Sequence, residues 1–282
     1  MNEPLKLYSF LCLVFIFLLA VAGLVGGIFG EVIQVIAYAA PVTVGFFIAP
    51  RFRREREEIA GLVEPIKTHL GMTGRAWRLT LPLVFPTVAV VFLVSFLTSL
   101  LLGAIGAQSG AVLDGPLYLL IITKAILPAA LEELLFRFLP LILLLPYGKR
   151  ECVIISSVYF ALVHCNLFSI PYALVAGVVF ILIDIAAESV WPSFIIHLVN
   201  NLSSIVWMKY CTTDLAVSVY VWTLVGLALV SITFMLLMRR DYIEAVKDGL
   251  RKGGGIRTLI PYVVIIPTVF IAVINLITSI GG

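Results

Sequence analysis

Charged side chains are scarce in this chain: 12% of 282 residues, against 62% hydrophobic, with only three histidines. Soluble domains carry about twice that share of charge. A mean hydropathy of +1.14 therefore excludes a freely soluble globular fold and points to an all-α, polytopic helical membrane protein. The net charge of +3 is too small to suggest a nucleic-acid partner. Cysteine is sparse as well. Cys12, Cys152, Cys165 and Cys211 lie in or beside apolar segments without CxxC spacing, which argues against a metal cluster or a disulfide framework and leaves them as small apolar fillers. Cys165 follows His164, but helical neighbours diverge by about 100°, so a thiol nucleophile is disfavoured. No Walker, EF-hand or HExxH motif occurs, and no internal repeat is visible.

What the chain has in abundance is apolar runs. Nine candidate spans can be drawn, at about 7–29, 31–49, 79–104, 116–146, 152–168, 170–188, 191–209, 215–238 and 258–280. Ala20-Val21-Ala22 resembles a signal-peptidase site. The preceding stretch has only Lys6 as a basic side chain and the apolar run continues past it, so it reads as an uncleaved first helix. Placing the loops alternately on two sides puts sixteen of the nineteen basic residues on one side. The positive-inside rule then predicts a multi-pass protein of the cell membrane with a cytoplasmic N-terminus and an external C-terminus.

The first long basic loop carries Ile59, Leu62, Val63, Ile66 and Leu70 at helical spacing among charges. It predicts an amphipathic helix over about 54–72 on the membrane surface, bent near Pro65, with His69 solvated and without a role. Residues 239–257 repeat the theme around Ile243, Val246 and Leu250. Both stretches read as anchors to anionic lipid, the bilayer being a partner in its own right. Three regions of one integral membrane domain follow: N-terminal helices over 1–115, a polar-bearing core over 116–205, and C-terminal helices over 206–282.

Charges inside the apolar runs are costly and mark function by default. Glu132-Glu133-Leu134-Leu135-Phe136-Arg137 sits within a long apolar stretch. Glu133 and Arg137 are four apart, with Glu on the N-terminal side, the favourable order for an ion pair. Glu132 points elsewhere and has no local partner. It suits a general acid or base, or finds a partner on another helix. Phe160 and His164, Asp184 and Glu188, and His197 and Asn201 are further pairs four apart, each sharing a helix face. Glu132, two imidazoles and an amide could activate water and stabilise an oxyanion. Two histidines and a carboxylate could equally hold zinc. Asp184 and Glu188 approach the cytoplasmic end of their span, where they could be hydrated. Lys124, about 12 Å along the axis from Glu132, could counter a carboxylate or snorkel to the interface.

Glu132-Glu133-x-x-x-Arg137, Phe160-x-x-x-His164 and His197-x-x-x-Asn201, in that order on separate segments, resemble the CPBP family of CAAX proteases and bacteriocin-processing or immunity proteins, whose members include the type II CAAX prenyl endopeptidases. Ser189-Val190-Trp191-Pro192 also looks like the family, and the resemblance covers about 116–205. It implies an eight-helix core around an intramembrane cavity and an endopeptidase that hydrolyses a peptide bond without an acyl-enzyme. By the same resemblance Glu132 would activate water, His164 would position it, and His197 and Asn201 would donate to the oxyanion. Glu133 and Arg137 would be the supporting pair, and Phe160 would line the cavity. The substrate would be a membrane-associated or lipidated protein or peptide, prenylated CAAX protein being the well-known class. Glutamate-activated water needs no cofactor. Zinc on Glu132, His164 and His197, as in a metalloprotease, is the alternative, although an asparagine in place of a further ligand weakens it. Two other functions are consistent with the chain: a non-catalytic immunity or scaffold protein of the same fold, and an ion-coupled transporter using Lys124, Glu132, Glu133, Asp184 and Glu188. Repeat symmetry would mark the transporter, and none is visible.

Overall fold

The computed structural model describes residues 3–25, 27–60, 71, 73–104, 106, 113–145, 148–164 and 166–251, and among these it is helical without strands. Nine helices are labelled in chain order: α1 (Glu3–Val25), α2 (Gly27–Ala60), α3 (Gly74–Ala104), α4 (117–143), α5 (Lys149–Leu162), α6 (Ile170–Ala187), α7 (Trp191–Tyr210), α8 (Asp214–Leu237) and α9 (Arg239–Gly249). Three of them, α3, α6 and α8, are long and apolar enough to cross a membrane by themselves, and shorter apolar helices run over Pro4–Leu19 and Val32–Ile48. Much of the apolar surface is unpaired with protein: Leu215 is 74% exposed, Trp222 72% and Leu237 78%, all on α8. A helix apolar all round has lipid as its partner.

Element boundaries depart from the sequence reading in several places. Helix α2 has 34 residues, about 51 Å at 1.5 Å per residue. The basic stretch containing Arg51, Arg53, Arg54 and Arg56 is thus a continuation of the second apolar helix rather than a separate one. Helix α5 ends at Leu162 after 14 residues, about 21 Å, so the span expected over 152–168 is shorter than a full crossing. The remainder of the expected surface helix near Pro65, His69, Cys165 and the span at 258–280 lie outside the described residues.

Helix α4 is the irregular one, and its prolines explain why. Two π-helical stretches, Ile121–Ile126 and Leu134–Phe138, interrupt it. Each is followed closely by a proline, Pro128 and Pro140. Proline has no N–H to give the carbonyl four residues back, and its ring crowds that carbonyl. The wider π turn relieves the crowding: Leu127 N–H bonds Ile122 O and Leu139 N–H bonds Leu134 O, each five residues back. The carbonyl that Pro140 cannot serve is that of Phe136. It accepts instead from Ser156 Oγ of α5 and, at 3.1 Å, from Arg137 Nη1.

Helices α1 and α2 form a hairpin that packs on α4, and α5 and α6 form a second pair. Gly177 makes the second pair possible, since a Cβ there would meet Ser157 Cα at 3.1 Å and the Phe160 ring at 3.3 Å. Helix α8 lies against α3, while α7 contacts α3, α4 and α6. At one end α9 crosses the bundle. Tyr242 Oη donates to Leu79 O at 2.9 Å, and Lys149 pairs with Asp248. Ile243 and Val246 on α9 and Leu250 just after it remain exposed, while Ala245 and Gly249 are buried.

Candidate active site

The Glu-Glu-x-x-x-Arg stretch lies at the centre of the bundle. Arg137 is 0% exposed and Glu133 2%. Their side chains meet at 3.2 Å between Arg137 Nε and Glu133 Oε2, the pair expected from their spacing. The N–H does not point along that line, so the contact is coulombic without being a hydrogen bond. The guanidinium also lies against two rings, 4.3 Å from the Phe160 centroid and 5.2 Å from that of Phe180. Both contacts are cation–π in geometry, and they compensate part of the desolvation of a buried cation.

His197 of α7 reaches both carboxylates. Its Nδ1 lies 2.7 Å from Glu133 Oε1 and its Nε2 lies 3.9 Å from Glu132 Oε2. A carboxylate oxygen accepts, so Nδ1 carries a proton and Nε2 is the nitrogen turned toward Glu132. Glu133 therefore serves two partners, Arg137 and His197, and it orients the imidazole as well as balancing the guanidinium.

Glu132, 8% exposed, has the non-local partner that its own helix does not provide. Tyr38 Oη of α2 donates to Glu132 Oε1 at 3.0 Å. Nothing in the sequence marks this contact, which joins residues 94 apart. Tyr38 was not among the expected site residues. The visible signal is only a hydroxyl-bearing ring within an apolar helix.

His164 lies in the turn just after α5 rather than within the helix. There its Nδ1 stands 2.8 Å from Phe160 O, one of the carbonyls that a helix C-terminus leaves unserved. The carbonyl can only accept, so Nδ1 bears the proton and Nε2 is left as an acceptor. The rings of His164 and His197 flank Phe160, with centroids 5.2 and 5.6 Å from it. Phe160, His164, His197 and Asn201 line one cavity of about 190 Å³, together with Tyr172, Lys124, Asn200 and Ser204, room for several waters. Lys124 joins this cavity and has no ion pair among the described residues. The Glu132 carboxylate faces His197 Nε2 at 3.9 Å, beside the residues that line this cavity.

Asp184 and Glu188 do not share a face. Asp184 is fully buried, not hydrated, and its Oδ1 accepts from Ser193 N–H at 3.0 Å, capping the start of α7. Glu188 falls beyond the last residue of α6, where the chain reverses in a left-handed conformation with φ of 52°, and it is exposed. The Asp184 cap fixes where α7 begins, and so the height of His197 one turn later.

Among the described residues, no three His, Cys, Asp or Glu side chains converge as metal ligands. Glu132 Oε1 and His197 Nδ1 are already engaged by Tyr38 and Glu133. This leaves Glu132 Oε2, His164 Nε2 and His197 Nε2 as the unengaged atoms of the donor set considered for zinc.

Residues 114–203 match the model of the Type II CAAX prenyl endopeptidase Rce1-like family. The matched stretch is roughly a third of the chain and runs from just before α4 into α7, so it includes every expected catalytic residue. It makes this segment protease-like at the level of the family and accords with an integral membrane protein. No curated protein and no solved structure matches the chain.

Proposed function

We propose that this protein, whose residues 114–203 are Rce1-like, is an intramembrane endopeptidase that hydrolyses a peptide bond by glutamate-activated water. The observation that carries the reading is the approach of Glu132 Oε2 to His197 Nε2 at 3.9 Å, beside a cavity lined by His164 and Asn201. That gap is too long for a direct hydrogen bond. A water about 2.8 Å from each atom would form the apex of a triangle with them.

The roles follow from donors and acceptors. Glu132 takes a proton from the water, and the hydroxide adds to the carbonyl carbon of the scissile bond. His164, with Nε2 as an acceptor, holds the water by its second hydrogen. The negative charge that develops on the carbonyl oxygen is met by Asn201 Nδ2–H and by His197 when protonated on both nitrogens. Two carboxylates, one guanidinium and one imidazolium then sum to zero charge, the arrangement a low-dielectric interior tolerates best. Collapse of the tetrahedral species breaks the C–N bond, and the leaving nitrogen takes the proton from Glu132. Glu133 and Arg137 hold His197 in place, and Phe160 supports the guanidinium and the cavity wall. No metal enters these steps.

The substrate we propose is a membrane-associated or lipidated polypeptide. The helices around the cavity expose their apolar flanks, so a lipid-modified chain could approach through the bilayer plane. The test uses purified protein in lipid nanodiscs with a fluorogenic peptide that carries a prenylated cysteine four residues from its C-terminus, and a comparison of membrane peptidomes for other substrates. Glu132→Gln should abolish cleavage with the thermal unfolding profile retained, and a zinc chelator should leave the rate unchanged. Turnover by Glu132→Gln would sink the mechanism, and loss of activity on chelation restored by zinc would sink the metal-free form of it.

A further inference from the structure

The hydroxyl of Tyr38 stands outside the family-like segment, on a helix that the comparison leaves unmatched, yet it touches the residue proposed as the base. We infer that Tyr38 is the positioning residue of Glu132, so that the α1–α2 hairpin is part of the catalytic unit. The inference rests on the reading of Glu132 as the general base.

A glutamate side chain has three rotatable bonds, and a free carboxylate samples several orientations. Here one oxygen is held. Tyr38 Oη donates to Oε1 at 3.0 Å, which leaves Oε2 facing His197. A base must be aligned with the proton it takes, and small misplacements are expensive in rate. Tyr38 itself is fixed by packing. Its ring lies 4.9 Å from that of Phe15, which in turn lies 5.8 Å from the ring of Phe136 on α4. About two turns further along α2 the hairpin is seated closely on α4, because a Cβ at Gly45 would collide with the side chain of Leu139. The phenol cannot retreat without disturbing three helices. An ordinary filler at position 38 would need only the ring; the hydroxyl has the Glu132 carboxylate as its hydrogen-bond acceptor.

The test is Tyr38→Phe, which keeps the ring and removes only the oxygen, with Tyr8→Phe as a control. Tyr8 is buried on the same hairpin against Tyr159, at 5.6 Å between centroids. On the prenylated peptide, Tyr38→Phe should lower kcat roughly ten- to hundredfold, the loss of one hydrogen bond to a charged group, with KM unchanged. Tyr8→Phe should keep the wild-type kcat. A second readout needs no substrate. The infrared difference between wild type and Glu132→Gln isolates the Glu132 carboxyl stretch, and the band should move in the Tyr38→Phe background. If Glu132→Gln still turns over, the reading of the base fails. If Glu132→Gln is inactive while Tyr38→Phe keeps its kcat, or if the carboxyl band stays in place, the base stands and the role of Tyr38 is overturned. A rise in KM without a fall in kcat would likewise overturn it, since that is the signature of a binding or packing role.

Discussion

Replacing Arg137 by methionine should separate breaking a buried charge pair from doing without one. Arg137 is 0% exposed and meets Glu133 at 3.2 Å. The methionine fills much of the volume of the arginine stem, so the main change is electrostatic. Glu133 would keep His197 but lose the guanidinium. Removing one partner of a buried pair costs about 3–5 kcal/mol, because the remaining charge is left uncompensated. The guanidinium also gives up two ring contacts, worth about 1–2 kcal/mol when desolvated. The Phe136 carbonyl keeps only Ser156 Oγ of its two side-chain donors. The sum is a loss of roughly 4–7 kcal/mol, a melting-temperature drop on the order of 10 °C or more for a chain of this size. Adding Glu133→Gln removes the stranded charge, so the double variant should recover most of the 3–5 kcal/mol and remain inactive, since His197 has lost its carboxylate. Thermal unfolding of the detergent-purified protein, followed by intrinsic fluorescence, reads both steps. A single variant as stable as wild type, or a double variant no more stable than the single, would refute the claim that this pair is balanced charge rather than packing.

Further expectations concern the backbone and the membrane surface. Glu188→Gly should raise stability by up to about 1 kcal/mol in the same unfolding assay, because a left-handed φ of 52° strains any residue with a Cβ. Gly177→Val should destabilise by about 1–3 kcal/mol by overpacking and lower kcat as well, since the new atoms would push on the Phe160 ring. Tyr242, on the short charged helix α9, has its phenol pushed up to about 12 by burial first and by Asp241 second. A raised phenol leaves stability intact below the ordinary value near 10 and loses it between about pH 10 and 12. Tyr242→Phe should flatten that part of a stability-against-pH curve, and an unchanged slope would refute the assignment.

The centre of the site was legible because its logic is local. Four-residue spacing pairs Glu133 with Arg137, and the same spacing sets His164 against Phe160, although a helix terminus and not a helix face delivers the latter contact. What remained hidden was set by chain segments far apart. Spacing leaves Glu132 either free for His164, His197 and Asn201 or partnered from another helix; its hydrogen-bond partner is Tyr38 of α2, and the short contact of His197 is with Glu133. Spacing on one helix carries no information on which of two adjacent carboxylates a third helix will meet. Asp184 misled for a related reason. Its place near a helix end suggested hydration, but an N-cap can come from nine residues away when the chain turns back at Glu188. Pro128 and Pro140 account for the irregular form of α4, a feature that the sequence reading did not draw from them.

That form has a consequence for the length of the chain. A π turn accommodates about one residue more than an α turn before the pattern resumes. Deleting one residue within Leu134–Phe138 would let the stretch close as ordinary α-helix. Side chains beyond it would keep their faces, because the wide turn had already absorbed the extra residue, and only those inside the stretch would shift. Along this part of α4 a gap of one residue would be absorbed locally: Arg137 would stand three positions from Glu133 instead of four, still a neighbour on the helix surface, and the cost would fall on the Pro140 ring, which the wide turn keeps off the carbonyl before it.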